Sequence, residues 1–172
     1  FDVVDTADLI AAEVTASGFG AGGLDEANNL IVSGGNVDVA DAADIQAISM
    51  YNDSASDYDI TDTAATLISA GDSILNKAGV DVVTVNAAGT GSDVTANVGA
   101  QLSGFTADVE FDVVDSFGGL TAVMGSADPA SYLTEANSIT VDDGNGGSTV
   151  NANNGAVLSA FTADVEFDVV DN

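Results

Sequence analysis

Hydrophobic and polar positions alternate through "VEFDVVD" at residues 109–115. Val109, Phe111 and Val113 fall on one side, and Glu110, Asp112 and Val114 on the other. A period of two is the mark of a half-buried strand, and Phe and Val suit a pleated surface. The same pattern predicts strands at 1–4, 58–61 and 167–170. Each runs into an aspartate: Asp5, Asp62, Asp115 or Asp171. A carboxylate placed there can accept the unpaired N–H groups of a first helical turn, so these four are read as helix N-caps. After Asp62, the spacing of Leu67, Ile68, Ile74, Leu75 and Ala78 predicts one helical face, stopped by Gly79. After Asp5 a helix is expected over 6–13, ahead of a glycine-rich stretch ending at Gly23. After Asp115, Gly118 and Gly119 sit where a first turn belongs, which predicts a short helix or one displaced to 129–134.

A second strand is expected at 30–32, 82–85 and 139–141, followed by turns rich in Gly, Asn and Ser. A third apolar-alternating run and an Ala-rich segment then begin at Val37, Ser92 and Ser148. The predicted order is β-α-β-β-α, and it recurs. "FTADVEFDVVD" occurs letter for letter at 105–115 and 161–171, and its tail "FDVVD" also forms residues 1–5. The motif starts at Phe1, Tyr58, Phe111 and Phe167 define units 1–57, 58–110 and 111–166, with 167–172 opening a fourth unit or forming a junction strand.

A unit of about 55 residues buries little surface alone, so stacked neighbours must share a core. The expected fold is a β-rich repeat protein, a solenoid-like stack of β-α-β-β-α units with short helices. Tandem small β-sandwich modules are the main alternative, and a compact α/β domain with internal duplication is the third.

Composition narrows the chemistry. The 172 residues carry one basic side chain, Lys77, against 28 acidic ones, a formal net charge of -27. Such a chain repels nucleic acid and anionic membrane surfaces, which recruit Lys and Arg. Its apolar runs are also too short to insert in a membrane as a helix. With neither His nor Cys, Ser–His–Asp, Cys–His and zinc-type centres are excluded. Carboxylates recur at equivalent places in every unit, which suits a structural role better than a single active site, so no enzyme is expected. Cations must offset the charge, either at Ca²⁺ sites or as diffuse screening by salt. The candidate ligands are Asp2, Asp59, Asp112 and Asp168, which share one position of the repeat. If neighbouring units pair those strands directly, the four carboxylates stack about 5 Å apart. If other strands intervene, they stand apart. "DDGNGGSTVNANNG" at 142–155 lacks both the EF-hand pattern and the Ca²⁺ nonapeptide, and is read as a turn between strands.

The unit "YDITDTAATLISAGDSILNKAGVDVVTVNAAGTGSDVTANVGAQLSGF" resembles the repeat arrays of very large bacterial secreted and cell-surface proteins. That resemblance implies extracellular structural work, as adhesin stalks, surface layers or matrix fibres. The expected function is a structural subunit or segment of an extracellular bacterial filament, fibre or surface array. The alternative is the stalk or binding module of a large adhesin, for which Met50-Tyr51 and Tyr132 are the aromatic candidates. Unpaired strand edges invite strand addition, so Phe1, Val3, Phe167 and Val169 are the expected assembly positions, with the partner another copy or a longer chain of the same repeats.

Overall fold

The computed structural model describes residues 1–17, 26–86, 91–124, 136–142, 144, 147–160 and 165–170. They fall into two compact units, residues 1–84 with 106–108, and residues 85–105 with 109–172.

The first unit runs β1 (Asp2–Asp5), α1 (Ala7–Ser17), β2 (Asn29–Val37), α2 (Val39–Gln46), a 3-10 turn (Asp53–Ala55), β3 (Asp57–Asp62), α3 (Ala64–Ala70), α4 (Asp72–Leu75) and β4 (Val80–Val85). Its strands lie side by side in chain order. β1 is parallel to β2, with Val3 opposite Leu30 and Val4 opposite Ile31. β2 is parallel to β3, with a bulge between Ser33 and Asn36. Gly34 and Gly35 supply that bulge at φ of 76 and 97, where side-chain-bearing residues are strained. Leu30, Val32, Tyr58 and Ile60 are buried on the covered side, and Ile10, Ile45 and Leu67 reach them from the helices.

The second unit runs β5 (Asp93–Val94), α5 (Ala96–Leu102), β6 (Val109–Asp115), α6 (Phe117–Met124), β7 (Ala136–Val141), β8 (Thr149–Val150), α7 (Ala152–Leu158), β9 (Val165–Glu166) and β10 (Asp168–Val169). β6 lies between β5 and β7, parallel to both. β9 adds to β7, and β10 pairs with β8, again in parallel. Val109, Phe111 and Val113 are fully buried, as their alternation predicts, with Leu102, Leu120 and Ile139 around them.

Both units are α/β: parallel strands connected through helices, in the Rossmann-like manner, and not a β-solenoid or a string of β-sandwiches. The period-two pattern identifies a strand with one covered face but does not say what covers it. The helices expected in each unit are present, seven or eight residues long at α2, α3, α5 and α7. They close the apolar side of the sheet, where a solenoid or sandwich needs a second sheet.

Three local expectations are also corrected. The N-cap of α3 is Thr63, not Asp62, and its hydroxyl accepts from the Thr66 N–H. Likewise the Ser116 hydroxyl, not Asp115, accepts from the Gly119 N–H at the start of α6. The single helix predicted after Asp62 is two, broken at Gly71 with φ 62. α1 extends to Ser17, beyond the expected end at residue 13, because Val14 still reaches the core. α6 begins at Phe117 in spite of its glycine pair. The alternative site at 129–134, residues 18–23 of the glycine-rich stretch and Asp171 lie outside the described residues, as do 143, 145 and 146 of the turn after Asp142.

Candidate functional site: the recurring strand and its carboxylates

Every copy of the strand motif carries two aspartates, three residues apart, and among the described residues the two positions have distinct tasks. The aspartate that ends a strand sits just before the helix cap. Its Oδ1 accepts the N–H of the next residue, Thr6 at 2.9 Å, Thr63 at 2.6 Å and Ser116 at 2.7 Å. Its second oxygen can reach sideways. Asp62 Oδ2 accepts the N–H of Val39, the first residue of α2, at 3.2 Å. Asp115 Oδ2 accepts the N–H of Ala96, the first residue of α5, at 3.0 Å. One carboxylate thus ties the end of a strand to the start of the preceding helix, satisfying N–H groups that have no intrahelical partner. Glycine makes room for this in α6, since a Cβ at Gly119 would overlap the Asp115 carboxylate.

At Asp2, Asp112 and Asp168 the aspartate inside the strand accepts from neutral side chains on, or just before, a neighbouring strand. The Asn29 amide donates to Asp2 at 3.1 Å. Ser138 donates to Asp112 at 2.6 Å, and Ser92 makes a further short hydrogen bond to the same carboxylate. Ser148 donates to Asp168 at 3.2 Å. Asp59 sits opposite Asn36, whose amide donates to Thr61 at 2.7 Å. The Ser138 and Ser92 hydroxyls hold the Asp112 carboxyl below the usual carboxylate range, against the opposing effect of its partial burial. Within the first unit β2 separates Asp2 from Asp59, and within the second Asp112 and Asp168 lie in different sheets, β6 and β10. Among the described residues no group of three or more acidic side chains is placed to hold a metal ion. The direct like-charge neighbour of Asp112 is instead Asp93 in β5, and the Ser92 hydroxyl offsets that repulsion.

Other carboxylates were not singled out by sequence reasoning. Asp53 accepts the N–H of Gly79 at 2.9 Å, the N–H of Ala78 at 3.2 Å and the Tyr51 hydroxyl at 3.2 Å. Asp72 accepts both the N–H and the hydroxyl of Thr106, at 2.9 and 3.2 Å. Their backbone N–H partners lie 25 or more residues away, so local spacing gave no signal. The Ser at 92 and again at 148, one position before each short strand, was a usable clue.

The aromatic candidate Met50-Tyr51 is no exposed platform. Tyr51 bridges to Leu30 beside β2 and is half-buried, and burial raises its phenol pKa, with Tyr58 adding to the effect. Tyr132 lies outside the described residues. An open cleft of about 610 Å³ runs between α1 and α2, with Asp8, Asp38, Asp41 and Thr61 on its walls. Burial, with Asp38 and Asp44 nearby, raises the Asp41 pKa.

Of the four assembly positions, Phe1 and Val169 are exposed and Val3 and Phe167 are half-buried, unlike their equivalents in β6. Phe111 and Val113 of β6 are fully buried, whereas Phe1 is 65% and Val169 53% exposed in the same five-residue motif. Among the described residues β1 has a strand neighbour on one side only. No helix among them is long and apolar enough to cross a membrane. No family model, curated protein or solved structure matches this chain.

Proposed function

We propose that this chain is a structural subunit or segment of an extracellular bacterial filament, fibre or surface array, continued from copy to copy through its recurring strand. The observation that carries the reading is the contrast within one motif: "FDVVD" is buried as β6 and exposes its apolar side chains at residues 1 and 169. Fully burying a Phe or Val side chain contributes about 1.5–3 kcal/mol, so covering the outer copies favours association. The carboxylates add support, since those of Asp53, Asp62, Asp72 and Asp115 hold backbone N–H groups of the fold itself. An extracellular setting suits a chain with 28 acidic residues and one basic one, whose self-repulsion is relieved by ambient salt.

Sedimentation velocity and negative-stain electron microscopy over a concentration series test this. The expected result is growth into fibres or sheets with a regular axial repeat. Monodisperse globules at the highest concentration would overturn it.

A further inference from the structure

The three copies of "FDVVD" use their backbone edges differently. Along a strand, N–H and C=O groups point to alternate sides. In β6 the Asp112 N–H donates to the Ser92 carbonyl at 3.0 Å on one side, and the Asp115 carbonyl accepts the Asp142 N–H at 2.9 Å on the other. At the final copy, among the described residues, the first side alone is engaged: the Asp168 N–H donates to the Ser148 carbonyl and the Val170 N–H to the Val150 carbonyl, each at 2.9 Å. At β1, among the described residues, the second side alone is engaged, where the Phe1 carbonyl accepts the Asn28 N–H at 2.7 Å. The equivalents of the Asp168 and Val170 donors are the Asp2 and Val4 N–H groups, which face the open edge of β1. The carboxylates repeat the split. Asp115 holds both Ser116 and Ala96 N–H groups, while among the described residues Asp5 accepts only that of Thr6.

We infer that the two outer copies are complementary halves of one internal site, and that β1 of one chain takes the place of β10 against β8 and α7 of a second copy. This rests on the self-assembly reading above and names its joint. In the joint, the Asp2 and Val4 N–H groups donate to the Ser148 and Val150 carbonyls of the other copy. The Ser148 hydroxyl passes from Asp168 to Asp2, and Asp5 gains the N–H of Ala152 at the start of α7. β1 keeps β2 on its other side, so one strand does what β6 does within the chain. The strand to be displaced is β10, which among the described residues pairs over two residues and leaves Val169 and Val170 about half exposed.

The chain has no cysteine, so engineered thiols report without background. Single-cysteine Asp2→Cys and Thr149→Cys full-length chains are mixed and oxidised, with Asp2→Cys plus Asn97→Cys as the control pair. Substitution by β1 puts positions 2 and 149 opposite each other, at the spacing of neighbouring strands, within disulfide reach. A 2–149 heterodimer is expected, with little 2–97 product. In the same mixture Val4→Pro, which removes a donor from the open edge, should lower cross-linking about tenfold. Val170→Pro should raise it, because it frees the seat that β10 occupies. Assembly without the 2–149 cross-link, or Val170→Pro reducing it, overturns this joint while leaving the self-assembly reading standing. Absence of any assembly overturns both.

Discussion

Asp115→Ala is the most informative single substitution. It removes the acceptor for the Ala96 N–H at 3.0 Å and for the Ser116 N–H at 2.7 Å. A hydrogen bond to a charged group contributes about 1.5–3 kcal/mol, and the solvent-exposed one belongs at or below the lower end. The expected loss is therefore about 2–4 kcal/mol, or roughly 5–15 °C in Tm for a chain of this size. Asp115→Asn keeps one acceptor oxygen but turns an NH2 toward the other donor, so about half the loss is expected. Electrostatics makes the test sharp. At a net charge of -27, deleting a carboxylate relieves repulsion and favours the folded state. A general charge effect and the hydrogen-bonding role therefore predict opposite signs. Glu110→Gln, at an exposed position of the same strand, is the reference and should lie within about 0.5 kcal/mol of the parent. Urea unfolding followed by circular dichroism measures the difference, read on the transition that reports the second unit, since two compact units can unfold in separate steps. An Asp115→Ala chain as stable as the Glu110→Gln chain would refute the reasoning.

Gly119→Ala should destabilise by about 1–3 kcal/mol despite the better helix propensity of Ala, because the new methyl overlaps the Asp115 carboxylate; in an Asp115→Ala background most of that loss should vanish in the same urea assay. Asp112, with its pKa lowered in the folded state, contributes stability above the ordinary carboxylate pKa that is lost as pH falls through the folded value, so Ser138→Ala should flatten the acid limb of a Tm-versus-pH curve below about pH 4. Asp41, with its pKa raised, has the opposite sign: its ionised form weakens the fold at neutral pH, and Asp41→Asn should raise Tm at pH 7 but not at pH 3. Assembly should strengthen with salt as the Debye length falls, and NaCl and CaCl2 should act alike at equal ionic strength in sedimentation; a transition at millimolar CaCl2 alone would point to a specific Ca²⁺ site instead.

Strands were legible because their pattern is local. Val109, Phe111 and Val113 announce a covered face by alternation, and all three are buried. The layer covering that face was not legible, since a helix and a second sheet satisfy the same alternation. This is why the β-solenoid expectation gave way to a parallel α/β arrangement. Cap chemistry was legible to within one residue: the carboxylates of Asp62 and Asp115 do hold helix N–H groups, but from just outside the cap that Thr63 or Ser116 occupies. The sideways reach from Asp62 to Val39 spans 23 residues and from Asp115 to Ala96 spans 19. Contacts at that range are set by register between strands, which no single segment encodes. The Gly118-Gly119 pair looked like a helix breaker, and part of it is clearance for a neighbour's carboxylate.

The sideways carboxylate also shapes how the molecule comes apart. α2 precedes β3 in the chain, yet the first amide of α2 is held by the residue that ends β3. Fraying of β3 must therefore unlatch α2, and fraying of β6 must unlatch α5. Opening spreads backward along the chain, from each strand to the helix before it, so strand and helix exchange their amide protons as one cooperative block.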